Sequence, residues 1–237
     1  NVGGTRTVAD LAAAHGTDQF VLISTDKAAE PTSVMGATKR IAERVVRACN
    51  QSSRTRFSII RFGNVLGSAG SVVELFLRQI REGRSVTVTH ADIERFFMTI
   101  PEAVHLVLYS ATMGRGGETF ILDMGKPVKI DQLARQMIRL SGLTPDVDVA
   151  IEYTGLRPGE KLYEELWTDQ EQPRPTGHPG ILLAPNEEAL PAKLQREVDR
   201  LLIRARGNDL DGLWESLLRL VPSFTGRTAE QAAIPPD

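Results

Sequence analysis

Ser24-Thr25-Asp26-Lys27 sets two hydroxyls, a carboxylate and an ammonium on consecutive residues, and Met35-Gly36-Ala37-Thr38-Lys39 comes shortly after. The first group closes an apolar run, Phe20-Val21-Leu22-Ile23, that reads as a buried strand. The second opens a long helical pattern. In open α/β sheets ligands bind at the carboxyl ends of strands, so the strand delivers its polar groups to the end where they can meet a ligand. Met35 and Lys39 are four apart and share a helix face. A thioether is only a weak acceptor, so Met35 moves no proton, and acid–base work falls to its neighbours. The plain alternative is a polar loop with Asp26 as a turn or cap residue and Lys39 as a solvated helix lysine.

Two arginines have phosphate-binding character: Arg95 in Glu-Arg-Phe-Phe-Met-Thr and Arg157 in Leu-Arg-Pro-Gly-Glu160. The planar guanidinium fork gives paired, charge-assisted hydrogen bonds to phosphate oxygens. The alternative is two arginines in ordinary ion pairs. Gly63-Asn64-Val65-Leu66-Gly67-Ser68-Ala69-Gly70 follows a strand and precedes a helix, but its spacing is not the G-x-G-x-x-G of a dinucleotide turn. The four histidines, His15, His90, His105 and His178, lack metal-ligand spacing, so no metal site is expected.

Four stretches, STDKAAEPTSVMGATKR, RFGNVLGSAGSV, ERFFMTIPEAV and LRPGEKLYEEL, resemble the extended short-chain dehydrogenase/reductase superfamily. Within it they look most like the bacterial nucleotide-sugar 4,6-dehydratases of polysaccharide biosynthesis. The superfamily usually has Tyr-x-x-x-Lys. Here Met35 stands at the Tyr position, as it does in one branch of these dehydratases. The resemblance implies NAD, rather than NADP, as cofactor and a UDP-sugar, UDP-N-acetylglucosamine or a close relative, as substrate. It implies oxidation at C4, loss of water across C5 and C6, and reduction at C6. By the same resemblance Thr25 hydrogen-bonds the 4-hydroxyl, Asp26 protonates the departing 6-hydroxyl and Lys27 removes the C5 proton. Lys27 then needs a lowered pKa, from desolvation or from a cation such as Lys39. Ser24 and Lys39 contact the cofactor, Lys39 at the nicotinamide ribose. Asn64, Arg95 and Arg157 lie at the diphosphate, Glu160 accepts ribose hydroxyls, and Val88 and Thr89 lie at the uracil. The base for the 4-hydroxyl stays open between Asp26 and a water. A nucleotide-sugar epimerase and a non-catalytic binding or assembly module are the other readings; Asp26-Lys27 favours the dehydratase over the epimerase.

Periodicity and turn residues mark the elements that must position these groups. Helices are expected over 5–15, 34–50, 71–82, 101–113, 130–140, 160–167 and 187–206, with a short one ending near 220. Strands are expected over 19–24, 57–62, 86–89, 120–124 and 147–153, and 170–179 is a loop. The fold class is α/β: the second half of a Rossmann-type domain (1–66, its first βαβ unit absent), then a mixed segment (67–183) that forms the substrate-binding region and elements returning to the first domain. A helical extension (184–227) and a disordered tail (228–237) complete the chain. The length suffices for a sizeable core. The net charge of −2 and pI near 6.2 give no nucleic-acid footprint. The one cysteine, Cys49, cannot form an internal disulfide, which fits a reducing compartment, and a cytoplasmic location is expected. No apolar run is long enough to span a membrane. The resemblance puts any membrane helices before the catalytic domain. It leaves a homo-oligomer open.

Overall fold

The computed structural model describes residues 1–68, 70–168, 171–185, 190–191 and 193–226. Along the chain run α1 (Val2–Ala14), β1 (Gln19–Ile23), a 3-10 turn at Asp26–Ala28, α2 (Val34–Ser52), β2 (Arg56–Arg61) and β3 (Asn64–Leu66). Then come α3 (Val72–Arg81), β4 (Val86–Val88), β5 (Glu94–Arg95), β6 (Phe97–Thr99), α4 (Ile100–Met113), β7 (Thr119–Leu122) and β8 (Val128–Lys129). Last are α5 (Ile130–Leu140), β9 (Ile151–Tyr153), β10 (Arg174–Pro175), β11 (Ile181–Ala184), α6 (Leu194–Arg206) and α7 (Leu210–Leu220). The chain folds as two compact units.

The first unit comprises Asn1–Phe62, Leu106–Asp123 and the described residues from Glu165 onward. Its sheet has the order β1-β2-β7-β11-β10. β1, β2 and β7 are parallel, and β11 and β10 join antiparallel. β2 and β7 are buried as continuous apolar runs should be, whereas β1, expected as a buried strand, lies at the sheet edge, half-buried except at Leu22 and exposed at Ile23. α2 is amphipathic: Ile41, Val45 and Val46 are buried against Phe57 and Ile59 of β2, and α6 and α7 add Val198, Leu201, Leu217 and Leu220 to the same core. Each such aliphatic side chain contributes about 1.5–3 kcal/mol by leaving water. Ser33 caps α2, its hydroxyl accepting the Gly36 N–H at 3.2 Å. Cys49 is a buried free thiol, pushed up to about 11 by burial and by Asp10.

The second unit comprises Gly63–His105 and Met124–Glu164. Its strands pair as three short ladders: β3 with β6 and β4 with β9, both parallel, and β5 with β8, antiparallel. α3 and α5 pack Phe76, Ile80, Ala134 and Ile138 onto Val86, Val88 and Ile93.

Several elements differ from those expected of the sequence. Residues 160–167 form turns and bends, not a helix. Gly159 takes a left-handed φ of 76°, and Leu162 gives its carbonyl to Glu94 N–H beside β5, which holds the segment open. The strand expected over 147–153 shrinks to β9, because Asp146 sits at φ 61° and the Thr144 carbonyl takes the N–H groups of Val147 and Asp148. The loop after Gly63 contains β3, and β10 lies within the expected loop 170–179. α6 begins at Leu194; residues 187–189 and 192 of the helix expected from 187, and the tail 228–237, lie outside the described residues. The units interleave along the chain: Leu106–Asp123 and the described residues from Glu165 onward return to the first unit.

Candidate active site

β1 ends at Ile23, within one residue of its expected end, and leads into a tightly bonded turn. Ser24 N–H bonds the Ile60 carbonyl and Asp26 N–H the Phe62 carbonyl, so the β1–β2 register runs into the turn. Asp26 is 2% exposed. Its Oδ1 accepts three donors: the Thr25 hydroxyl at 2.8 Å, the Lys27 backbone N–H at 2.9 Å and Lys27 Nζ at 3.0 Å. Its Oδ2 is buried with no hydrogen-bond partner among the described residues. A buried acceptor left unfilled is costly; a hydroxyl donor on that oxygen removes the cost. Hydroxyl, carboxylate and ammonium thus act as one hydrogen-bonded group at the carboxyl end of a parallel strand.

α2 passes directly over this turn. A Cβ at Gly36 would lie well inside van der Waals contact of the Lys27 carbonyl oxygen, so only glycine allows the approach. Met35, just before it, is 44% exposed and is not core filler. Lys39 Nζ donates to the Ile23 carbonyl at 3.0 Å, which brings an ammonium to the same strand end. The Lys27 ammonium thus has the Asp26 carboxylate as a partner, where the sequence suggests Lys39 as a neighbour.

Ser24 has a role that its residue type alone does not suggest. Its buried hydroxyl donates to Glu43 Oε1 at 2.6 Å. Glu43 in turn holds Arg61 through Nε–Oε1 at 2.8 Å and Nη2–Oε2 at 2.7 Å, and Glu171 takes Arg61 Nη1 at 2.8 and 3.0 Å. Burial pushes the Glu43 carboxyl up, but the charge and hydrogen bonds of Arg61, then Arg40 and Ser24, outweigh it and hold the group below the usual carboxylate range. Arg61 is held above the ordinary arginine value: burial acts against it, and Glu43 and Glu171 prevail. The sequence carries a signal for this network. Arg61 ends a strand that reads as fully buried, and a buried charge demands a partner.

A carboxyl depressed in the fold adds stability above its unfolded pKa, and that stability is lost as the pH falls through the folded pKa. Glu43→Gln is therefore expected to cost on the order of 3 kcal/mol at neutral pH, the effect of breaking a buried pair. The gap to wild type should close on acidification. Urea unfolding across pH checks this; a gap constant with pH would show that Glu43 carries no charge in the fold.

In the second unit Thr89, Arg95, Glu160 and Arg157 come together, and Val88 does not. Arg95 is buried, with Nη2 at 3.2 Å from Glu160 Oε1 and Nε at 3.5 Å from Glu164 Oε1. Thr89 Oγ1 donates to Glu160 Oε1 at 3.3 Å, and the Arg157 N–H donates to Glu160 Oε2 at 3.1 Å. Arg95 is thus engaged by two carboxylates, while Arg157 is exposed. Val88 is 1% exposed and part of the apolar core, so its side chain offers no surface to a base; its carbonyl accepts from Thr154 N–H at 3.0 Å. Asn64 lies half-buried on β3. No cluster of metal-ligating residues occurs among the described residues, and no helix among them is long and apolar enough to cross a membrane.

A family model described as "Polysaccharide biosynthesis protein" matches residues 1–186. The capsular polysaccharide biosynthesis protein CapD of Staphylococcus aureus is 56% identical over 172 residues, 72% of this chain and 28% of CapD. The probable polysaccharide biosynthesis protein EpsC of Bacillus subtilis is 45% identical over 224 residues, 94% of this chain and 33% of EpsC. The chain thus spans about a third of the length of these two relatives. The structure of Pen from Bacillus thuringiensis superposes with a TM-score of 0.73 at 38% identity, covering 79% of this chain and 59% of that one. More distant solved neighbours, at 17–22% identity, include dTDP-glucose 4,6-dehydratases with NAD and a UDP-N-acetylglucosamine 4-epimerase, and share the fold alone. Relatives at 33–34% identity carry the name UDP-glucose 4-epimerase.

Proposed function

This chain belongs to the polysaccharide biosynthesis protein family, as an extended short-chain dehydrogenase/reductase of the nucleotide-sugar type, and from that premise we propose that it carries the acid–base half of an NAD-dependent UDP-sugar 4,6-dehydratase. The observation that carries the reading is the Thr25–Asp26–Lys27 turn joined through Asp26 Oδ1, with the other Asp26 oxygen unfilled. The site fits a nicotinamide nucleotide: an ammonium, Lys39, stands at the carboxyl end of a parallel strand, where it can hold ribose hydroxyls. NAD bound there would supply the reversible hydride-transfer chemistry that the oxidation at C4 and the reduction at C6 require.

The residues of this chain then do the proton work. Thr25 already donates to Asp26, so its oxygen is left to accept from the sugar 4-hydroxyl. Through it the proton released at C4 oxidation passes to Asp26. On this reading no tyrosine is needed at position 35. Lys27 takes the C5 proton, a step that requires its neutral form. Asp26 gives its proton to the departing 6-hydroxyl, which leaves as water. Lys27 returns a proton to C5 as C6 is reduced. The protons balance over the cycle. Thr89, Glu160 and Arg157 suit the ribose and diphosphate of the nucleotide. The closing experiment is product NMR of the complete protein with UDP-N-acetylglucosamine in deuterated water: a 4-keto-6-deoxy sugar labelled at C5 is expected. A C4-inverted sugar with no C5 label would favour the epimerase reading, which the epimerase-named relatives support.

Arg157→Ala is expected to weaken UDP-sugar binding by roughly 1.5–3 kcal/mol, the range for hydrogen bonds to charged groups. UDP should lose affinity by the same amount, as calorimetry would read. Unchanged UDP binding would remove Arg157 from the diphosphate.

A further inference from the structure

We propose that Glu43 is a positioning residue, which acts through Ser24 to hold the Thr25–Asp26–Lys27 turn in register with α2. The proposal rests on the dehydratase reading of the turn. Glu43 lies one helical turn beyond Lys39 on α2, and its Oε1 takes the hydroxyl of Ser24, the residue just before Thr25. The same carboxylate is fixed from behind by the paired hydrogen bonds of Arg61 on β2, and Arg61 is steadied on its other side by Glu171. One carboxylate therefore ties the helix that carries Lys39 to the strand that carries the acid–base groups.

Stability gives a weak reason for such an arrangement. Buried ion pairs are often matched or exceeded by apolar residues of similar volume. A directional, charge-assisted bond gives a better one, because it fixes a hydroxyl to a single position. Reacting groups displaced by about 1 Å can lose on the order of a hundredfold in rate. Positioning of this kind should act on the chemical step and spare nucleotide affinity, since Thr89, Arg157 and Glu160 lie in the other unit.

The test tracks single-turnover reduction of bound NAD+ after UDP-N-acetylglucosamine is added to the complete protein, a step common to dehydratase and epimerase. Ser24→Ala removes one hydroxyl and leaves the ion pairs; Glu43→Gln removes the charge. Each is expected to slow reduction by about 10- to 100-fold with sugar-nucleotide affinity unchanged. The double variant should be no slower than the slower single one, because both act through one contact. Amide exchange at residues 25–28 should quicken in both. A Ser24→Ala protein within about twofold of wild type in rate, or additive losses in the double variant, would overturn the proposal. A wild-type protein that reduces no NAD+ would instead sink the functional reading, and the amide exchange would still decide on positioning: unchanged exchange at 25–28 overturns it.

Discussion

Lys27→Ala in the complete protein is expected to reduce bound NAD+ when the sugar nucleotide is added, yet to release no 4-keto-6-deoxy product. Oxidation at C4 needs a base only at the 4-hydroxyl, and in the proposed mechanism Thr25 with Asp26 would supply it. Elimination needs a base at C5, and the proposed mechanism gives that role to Lys27, whose Nζ lies 3.0 Å from Asp26 Oδ1. General acid–base catalysis contributes about a hundred- to ten-thousand-fold, so the loss should be large. Solvent deuterium should also fail to enter C5. Absorbance of the reduced cofactor and NMR of the product separate the two steps. Near-normal dehydration in the variant would end the role of Lys27 and shift weight to the epimerase reading. Dehydration lost together with C4 oxidation would mean that Lys27 supports the turn as a whole.

Gly36→Ala is the second change expected to have a large effect, although it adds one methyl group to a helix. The added carbon meets the Lys27 carbonyl oxygen, a backbone atom, and Pro31 lies close on the other side. Backbone cannot rotate away as a long side chain can, so α2 or the Asp26 turn must shift. Overpacking of this kind costs about 1–3 kcal/mol, and displacement of Lys27 should lower the rate by about a hundredfold or more. Gly4→Ala is the control. Gly4 lies in α1 with nothing near its missing Cβ, and alanine there should stabilise the protein by roughly 0.5–1 kcal/mol. Thermal melts and turnover of the two variants side by side check both. A Gly36→Ala protein with wild-type turnover would show that the turn tolerates movement.

Much of the fold is legible in the chain, and the failures share a cause. Apolar runs and the 3.6-residue stripe announce β1, β2, α2, α3 and α5, because those signals are local. β3 and β11 escape such a reading because a three- or four-residue strand is defined by its partner, and β11 finds β7 far back in the chain. The expected helix over 160–167 falls to Pro158-Gly159, which turns the backbone where a helix would start. At the site, the residue types of Thr25, Asp26 and Lys27 are readable, but not which atom joins them. Placing Val88 at the base goes against strand parity. In Val86-Thr87-Val88-Thr89 the two valines share a face, and both are buried; Thr89 points the other way, to Glu160. Glu43, Arg61 and Glu171 sit far apart in sequence, and only the charge at the end of a buried strand hints that they meet.

The core of the first unit has a consequence in time. Val2 and Ala9 share one apolar cluster with Val198, Leu217 and Phe224, and the Arg44 guanidinium donates to the Leu220 carbonyl, 176 residues further on. Contacts so distant along the chain slow folding, because the loop must close before the contact can repay it. A ribosome adds about 5–20 residues per second, so α2 waits on the order of ten seconds or more for α7 to emerge. Through that interval the uncharged strand Gln19–Ile23 can pair with β2 but lacks the finished core behind it. Nascent chains of this protein should therefore be clients of holding chaperones, and synthesis stalled before residue 210 should leave the Asp26 turn as accessible to protease as an unfolded segment.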